Sequence, residues 1–317
     1  PTLYSTGSAQ LFGTGAIRMV KALAIDALSF GSETADLDTL VDLAKRMDCE
    51  STQEPLRTYI KEGMSYGAAF RKALDTEILN TPNALLGLEY IRAGLAYNAK
   101  LEYIPILRTS NHHEETLTDE LPSGTALRQL ITSIGNLSSQ FNTSTGNLSS
   151  QFNTSTGNLS SQLQSTIPPS ITSDMTQVIE NGNYVNYNRY HDMVHSLSRR
   201  TTPKELEKFG DFSEGIEHLW SKAAQQTSWT TATEEIKSKR YTYARLQRMG
   251  AYLTLGITKD VLQNVMEEGP QYARLLAFND RGRQWLRNEY EIPLIQKWAK
   301  APNELSSLGQ TMHHIDT

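Results

Sequence analysis

The chain has 317 residues, 38% of them hydrophobic, with 30 Lys/Arg against 35 Asp/Glu and a formal net charge of −5. That length predicts two domains rather than one small core, and the negative balance argues against a protein that coats nucleic acid over its whole surface. No apolar run long enough for a membrane helix occurs, the first residues lack the basic and apolar regions of a secretory leader, and a single cysteine, Cys49, excludes a disulfide framework or a cysteine-based zinc site, so a cytoplasmic protein without a membrane partner is predicted.

Ala9, Phe12, Ala16, Met19 and Val20 recur at helical spacing and lead into a strand signal at residues 27–30. Gly31 follows in the stretch FGSE, where a glycine permits close backbone approach to a ligand and the turn after it offers free N–H groups. Residues 36–46 and 56–74 are predicted helices. Pro82 and Asn83 restart a helix over residues 84–97, because proline is tolerated in a first turn. Residues 101–107 alternate like a strand, and Ser123 is a good N-cap for a helix through Ile134. Helices and strands in this order predict an α/β domain with a parallel sheet.

An internal repeat of period 11 follows: GNLSSQFNTST at residues 135–145 and 146–156, then the decayed copy GNLSSQLQSTI at 157–167. Its Leu and Phe positions keep a thin apolar stripe, but Gly, Asn, Ser and Thr are poor helix formers, and a polar insertion is predicted. Beyond Ile171 strand signals nearly vanish, and helical patterns cover 177–180, 187–197, 214–224, 231–255, 258–266 and 292–300. The predicted architecture is therefore α/β plus all-α: domain 1–134, a repeat linker 135–170, and a helical domain 171–317.

Several motifs are set aside on context. Gly63-Met64-Ser65-Tyr66-Gly67 fits the Gly-x-Ser-x-Gly pattern, yet it lies among helical runs rather than on the strand-to-helix turn that a nucleophile elbow needs. His191 and His195 stand four apart, but no third ligand and no HExxH glutamate accompany them, so no metal site is predicted. His112 and His113 lie in a loop beside the groups described next.

Residues 82–128 combine an amide, a guanidinium and a hydroxyl-rich helix start: PNALLGLEYIR, PILR ending at Arg108, and SGTALR at 123–128. Such groups suit a nucleotide, Asn for sugar or base edges, Arg for phosphate charge, and helix N-terminal N–H groups for phosphate oxygens. Further on, residues 237–248 hold five basic residues and no acid. Lys237, Tyr241, Arg245 and Arg248 would share one face of a continuous helix, either a solvated basic face or a surface for RNA phosphates with one aromatic for stacking. Arg274, Arg281 and Arg283 extend the basic set.

Taken together, FGSE at 30–33, PNALLGLEYIR at 82–92, SGTALR at 123–128, EGIEHLW at 214–220, IKSKRYTYARLQRM at 236–249 and GPQYARLLAFNDRGR at 269–283 resemble the bacterial tRNA(Met) cytidine acetate ligases. The resemblance covers nearly the whole chain outside the repeat. It implies a partial Rossmann-like nucleotidyltransferase domain followed by a helical tRNA-binding domain. It also implies an enzyme that uses ATP, with Mg, to activate acetate as acetyl-adenylate and then acetylates N4 of the wobble cytidine of elongator tRNA-Met. By motif, Gly31, Asn83 and Arg108 match ATP-binding positions, and Ser123, Thr125 and Arg128 resemble the Ser/Thr–Arg motif that grips the triphosphate. Lys237, Arg240, Tyr241, Arg245, Arg248 and Arg274 fall in the part implied to face tRNA. Catalytic residues stay unassigned, because the family's His-x-Gly-His occurs nowhere in these residues. The expectation is an incomplete, inactive form lacking that N-terminal segment. The other readings are a small-molecule adenylyltransferase and a non-catalytic RNA-binding module.

Overall fold

The structure, a computed structural model, describes residues 2–64, 66–108, 124–142, 167–181, 183 and 187–317. The chain forms two compact units, Pro1–Leu107 with His191–Thr317, and Arg108–Tyr190. This grouping runs differently from a division at 134 and 171.

The first unit opens with α1 (Thr2–Ser5) and α2 (Ala9–Ala22), the latter capped by Ser8, whose hydroxyl accepts from Leu11 N. Strand β1 (Ala27–Ser32) follows, then α3 (Leu37–Met47), α4 (Glu50–Lys61) and α5 (Tyr66–Leu74). The single helix predicted over 56–74 is thus two, because Gly63 takes φ 89°, a left-handed conformation that ends α4. No strand enters the Gly-x-Ser-x-Gly segment, and its Ser65 lies outside the described residues.

Helix α6 (Pro82–Ala96) is apolar on most of its circumference and is accordingly the buried centre of this unit, packed on α2, α3 and β1. Strand β2 (Glu102–Leu107) pairs in parallel with β1, from Ala27↔Glu102 to Ser32↔Leu107, as the alternation predicts. Leu28, Phe30 and Tyr103 pack into the core, while Ala27, Ser29, Gly31, Glu102 and Ile106 on the other face are exposed. Close helix–sheet approach depends on two glycines of α6: a Cβ at Gly87 would strike the Phe30 ring, and one at Gly94 the Tyr103 hydroxyl.

The second unit contains α7 (Gly124–Asn142), which continues past Ile134 into the first repeat copy, and α8 (Pro169–Glu180). Leu130 and Ile131 of α7 pack with Ile167 and Ile179. His112, His113, Ser123 and most of the repeat lie outside the described residues.

The chain then enters α9 (Tyr187–Arg200), α10 (Pro203–Leu206), α11 (Ile216–Ala223), α12 (Trp229–Ile236), α13 (Tyr243–Leu255) and α14 (Lys259–Glu268). Trp220 is fully buried between Phe212 and Trp229, with its indole N–H donating to Ser198 Oγ at 2.9 Å. His195 is buried too, its Nε2 3.0 Å from the Ala224 carbonyl, which gives that histidine a structural role. The last elements are α15 (Asp280–Trp285), α16 (Ser307–Asp316) and two short parallel strands, β3 (Ala273–Arg274) and β4 (Leu294–Ile295). Strand β4 stands inside residues 292–300, whose pattern predicts a helix; backbone pairing with β3 overrides that local preference.

The two ends of the sequence share one core. Leu3, Tyr4 and Leu11 are buried with Tyr252, Val265, Tyr272 and Met312. The Thr2 N–H donates to Asp316 Oδ1 at 2.6 Å and the Tyr272 hydroxyl to Asp316 Oδ2 at 2.7 Å. Arg18 of α2 donates to the Met266 and Glu267 carbonyls, satisfying acceptors left free at the end of α14.

Candidate nucleotide site and basic surface

Gly31 and Asn83 fall in the first unit, and Arg108, Thr125 and Arg128 in the second. Gly31 ends the exposed face of β1, opposite Ile106. Two residues later the chain turns, with the Ser32 hydroxyl accepting from Thr34 N, and Glu33 reaches the start of α6. One Glu33 carboxylate oxygen accepts from Asn83 Nδ2 at 2.6 Å and the other from Ala84 N at 2.8 Å. The carboxylate therefore occupies the positive end of α6 and satisfies an N–H that Thr81, whose side chain makes no cap, leaves free. Burial pushes the Glu33 carboxyl up, but the Asn83 amide and the Ala84 N–H outweigh it and hold the group below the usual glutamate range.

This contact fixes Asn83. An ionised carboxylate only accepts, so the Asn83 amide turns its NH2 toward Glu33 and leaves Oδ1 as an acceptor without a donor among the described residues. Within FGSE, Gly31 ends the exposed face of β1, whereas Glu33 holds the amide in place. The available signal was an acidic residue just after a strand-ending glycine, with a helix start that carries no capping side chain.

In the second unit the described candidates meet in the first turn of α7. Arg128 Nη2 donates to Thr125 Oγ1 at 3.3 Å, and the guanidinium lies over Gly124. Arg108 follows β2 directly, and its Nε is buried with no hydrogen-bond partner among the described residues. Ser123, the third member of the predicted motif, lies outside the described residues.

The basic face is rearranged. A single helix over 231–255 does not form: α12 ends at Ile236 and α13 begins at Tyr243, capped by Thr242. Between them Ser238 N donates to the Tyr241 carbonyl, and Tyr241 N donates to the Ser238 hydroxyl. Lys237, Tyr241, Arg245 and Arg248 therefore do not line one helical face. Tyr241 is only 7% exposed, so the aromatic expected to stack a base is inside the fold.

Four of the five cations in residues 237–248, all but Lys239, are also engaged among the described residues. Arg248 donates to Asp211 Oδ2 through Nε at 2.8 Å and Nη2 at 2.7 Å. Arg245 donates to the Asp211 carbonyl at 2.9 Å, and Arg240 pairs with Glu214 at 2.8 Å. The Lys237 ammonium sits 4.5 Å from the Tyr243 ring centre, and Arg274 lies over Trp298 at 4.6 Å.

The chain is similar to known proteins in sequence and in fold. Among bacterial relatives, the tRNA(Met) cytidine acetate ligase of Alkaliphilus metalliredigens is 29% identical, over 94% of this chain and 71% of its own length. The enzyme of the same name from Lysinibacillus sphaericus is 26% identical, over 97% of this chain and 75% of its own. In fold, the chain superposes on the crystal structure of Thermotoga maritima TmcAL bound with alpha-thio ATP with a TM-score of 0.82, at 22% identity, covering all of this chain and 74% of that one. Residues 1–317 match the family described as HIGH nucleotidyl transferase, and the chain belongs to that family of enzymes.

Proposed function

We propose that this chain is an ATP-dependent acetate ligase of the cytoplasm that acts on N4 of the wobble cytidine of elongator tRNA-Met. The observation that carries this reading is the likeness to relatives of that name over more than nine-tenths of the chain. In the first half-reaction, acetate oxygen attacks the α-phosphorus of ATP and pyrophosphate leaves. In the second, the cytidine amine attacks the acetyl carbonyl, an N–C bond forms, and AMP departs with the acyl C–O bond broken.

The candidate nucleotide residues serve the first step. Asn83 presents its Oδ1 acceptor to a ribose hydroxyl or base amine, and Gly31 allows the backbone to lie close to the nucleotide. Arg108, Arg128, Ser123 and Thr125 offset phosphate charge, which is the part of such a reaction that fixed cations and N–H groups accelerate most. Magnesium would arrive on the nucleotide phosphates, its usual mode of binding. Glu33 has both carboxylate oxygens engaged, so the described residues beside Asn83 do not fit a protein-held ion. The 317 residues contain no His-x-Gly-His, and the proposal for them alone is a silent first half-reaction with nucleotide and tRNA binding retained.

Binding tests this reading. Elongator tRNA-Met is expected to bind the chain more tightly than initiator tRNA-Met, and ATP to bind with lower affinity after Asn83→Ala. Equal affinity for both tRNAs, together with ATP binding indifferent to Asn83, would point instead to an adenylyltransferase for small molecules.

A further inference from the structure

Four of the five cations of residues 237–248 are paired, hydrogen-bonded or stacked on a ring, whereas a second segment holds both charge and an aromatic outward. After β3 the chain runs from Leu276 to Arg281 entirely exposed, with Leu276 82% and Phe278 51% accessible. Residues 274–287 contain four arginines and one acid, Asp280. Among the described residues none of these four arginines is in an ion pair, in contrast to Arg240 and Arg248.

The segment is anchored at its start and shaped further along by a local cap. At its start Ala273 N donates to the Pro293 carbonyl and Leu275 N to the Ile295 carbonyl, at 2.9 and 3.0 Å. Further along, Asn279 caps α15 by accepting from Gly282 N at 2.9 Å. Arg283 of α15 lies 5.8 Å from the Phe278 ring centre. An exposed ring with a guanidinium over it, on a loop whose arginines lack ion pairs among the described residues, is poor as a protein core element and suits a base flanked by phosphates. Bases stack on aromatic rings regardless of identity, and neighbouring cations hold the backbone.

We infer that residues 274–287 form a docking lip for single-stranded RNA, on which an unpaired base stacks against Phe278 while Arg281 and Arg283 contact adjacent phosphates. This rests on the functional reading above and deepens it, by moving the aromatic contact from the buried Tyr241 to Phe278. The occupant is an unpaired nucleotide rather than a duplex, because a paired base has no face free for the ring.

The test is equilibrium binding of the chain to the anticodon stem-loop of elongator tRNA-Met and to a fully paired RNA of equal charge, over a salt series. Phe278→Ala is expected to weaken stem-loop binding about 5- to 150-fold, the range for one stacked base, and to leave duplex binding unchanged. Phe278→Trp should retain affinity, and Phe278→Leu, which keeps apolar bulk without a ring face, should not. Arg281→Gln with Arg283→Gln should flatten the logarithmic salt dependence by about 0.7 for each phosphate no longer neutralised. Unchanged stem-loop affinity in Phe278→Ala, or an equal loss on both RNAs, overturns the inference while the functional reading stands. Absence of stem-loop binding by the unmodified chain overturns both. A Phe278→Ala variant that alters only self-association, seen by sedimentation, would assign the patch to a second copy and also overturn it.

Discussion

Glu33 offers the most informative substitution outside the reacting groups. Its carboxylate accepts from Asn83 Nδ2 and from the N–H of Ala84, a fully buried residue. Removing it in Glu33→Ala orphans that N–H and takes a negative charge from the start of a 15-residue helix. A hydrogen bond to a charged group contributes about 1.5–3 kcal/mol, and a carboxylate at a helix N-terminus about 0.3–1 kcal/mol. Because Glu33 is partly exposed, the lower ends apply, and Glu33→Ala is expected to cost about 2 kcal/mol. Glu33→Gln keeps one acceptor and should lose about half of that. Urea unfolding at neutral pH reads both values. The carboxyl is depressed in the fold, so its stabilisation is present above the unfolded glutamate value of about 4.3 and is lost as pH falls through the lower folded value. The gap between the wild-type chain and Glu33→Gln should therefore close on acidification below about pH 4. A Glu33→Ala chain as stable as the wild type, or a gap that widens in acid, would refute the assigned role.

Arg92 donates to both oxygens of Asp48, at 2.6–3.1 Å, and also to the buried Glu89. Arg92→Ala should cost about 2–4 kcal/mol in urea unfolding, less than a fully buried pair because Asp48 is half exposed. Gly94→Ala should be destabilising through its clash with the Tyr103 hydroxyl, by about 1–3 kcal/mol, and Tyr103→Phe in the same chain should recover part of the loss. Asp211 carries the carboxylate opposite Arg248, at φ 63°. Asp211→Asn tolerates that backbone and frees the cation, so RNA affinity is expected to rise a few-fold at low salt with a logarithmic salt slope steeper by about 0.7–0.9; unchanged slope in a filter-binding series would contradict this.

The parts of the fold that local chemistry determines were readable from the chain. Pro82 before a helical pattern announces the start of α6, and the alternation of residues 101–107 announces β2. The break between α12 and α13 was not readable from periodicity, since Lys, Arg and Ser continue a helical pattern without penalty. It is made by Ser238 and Thr242, which bond to nearby backbone, and by burial of Tyr241. Those two hydroxyl residues were the available signal. Gly63 likewise marked the end of α4. The shared core of Tyr4, Val265 and Tyr272 comes from residues more than 250 positions apart, and no local pattern reports it. At the candidate site, Gly31 and Asn83 stood out as residue types, but Glu33 acquires its role only once the α6 start is folded against the end of β1. The pairing of Arg240 and Arg248 depends in the same way on Glu214 and Asp211, held in left-handed turns.

The central claim is that this fold delivers an acetyl group from an adenylate to a tRNA cytidine. Presenting chemically prepared, labelled acetyl-adenylate to the purified chain with elongator tRNA-Met isolates that step from pyrophosphate release. The account requires protein-dependent label on N4 of the wobble cytidine, absent with initiator tRNA-Met and reduced when RNA docking is weakened by Phe278→Ala. Label no greater than in the protein-free control, or label appearing equally on both tRNAs, would contradict it.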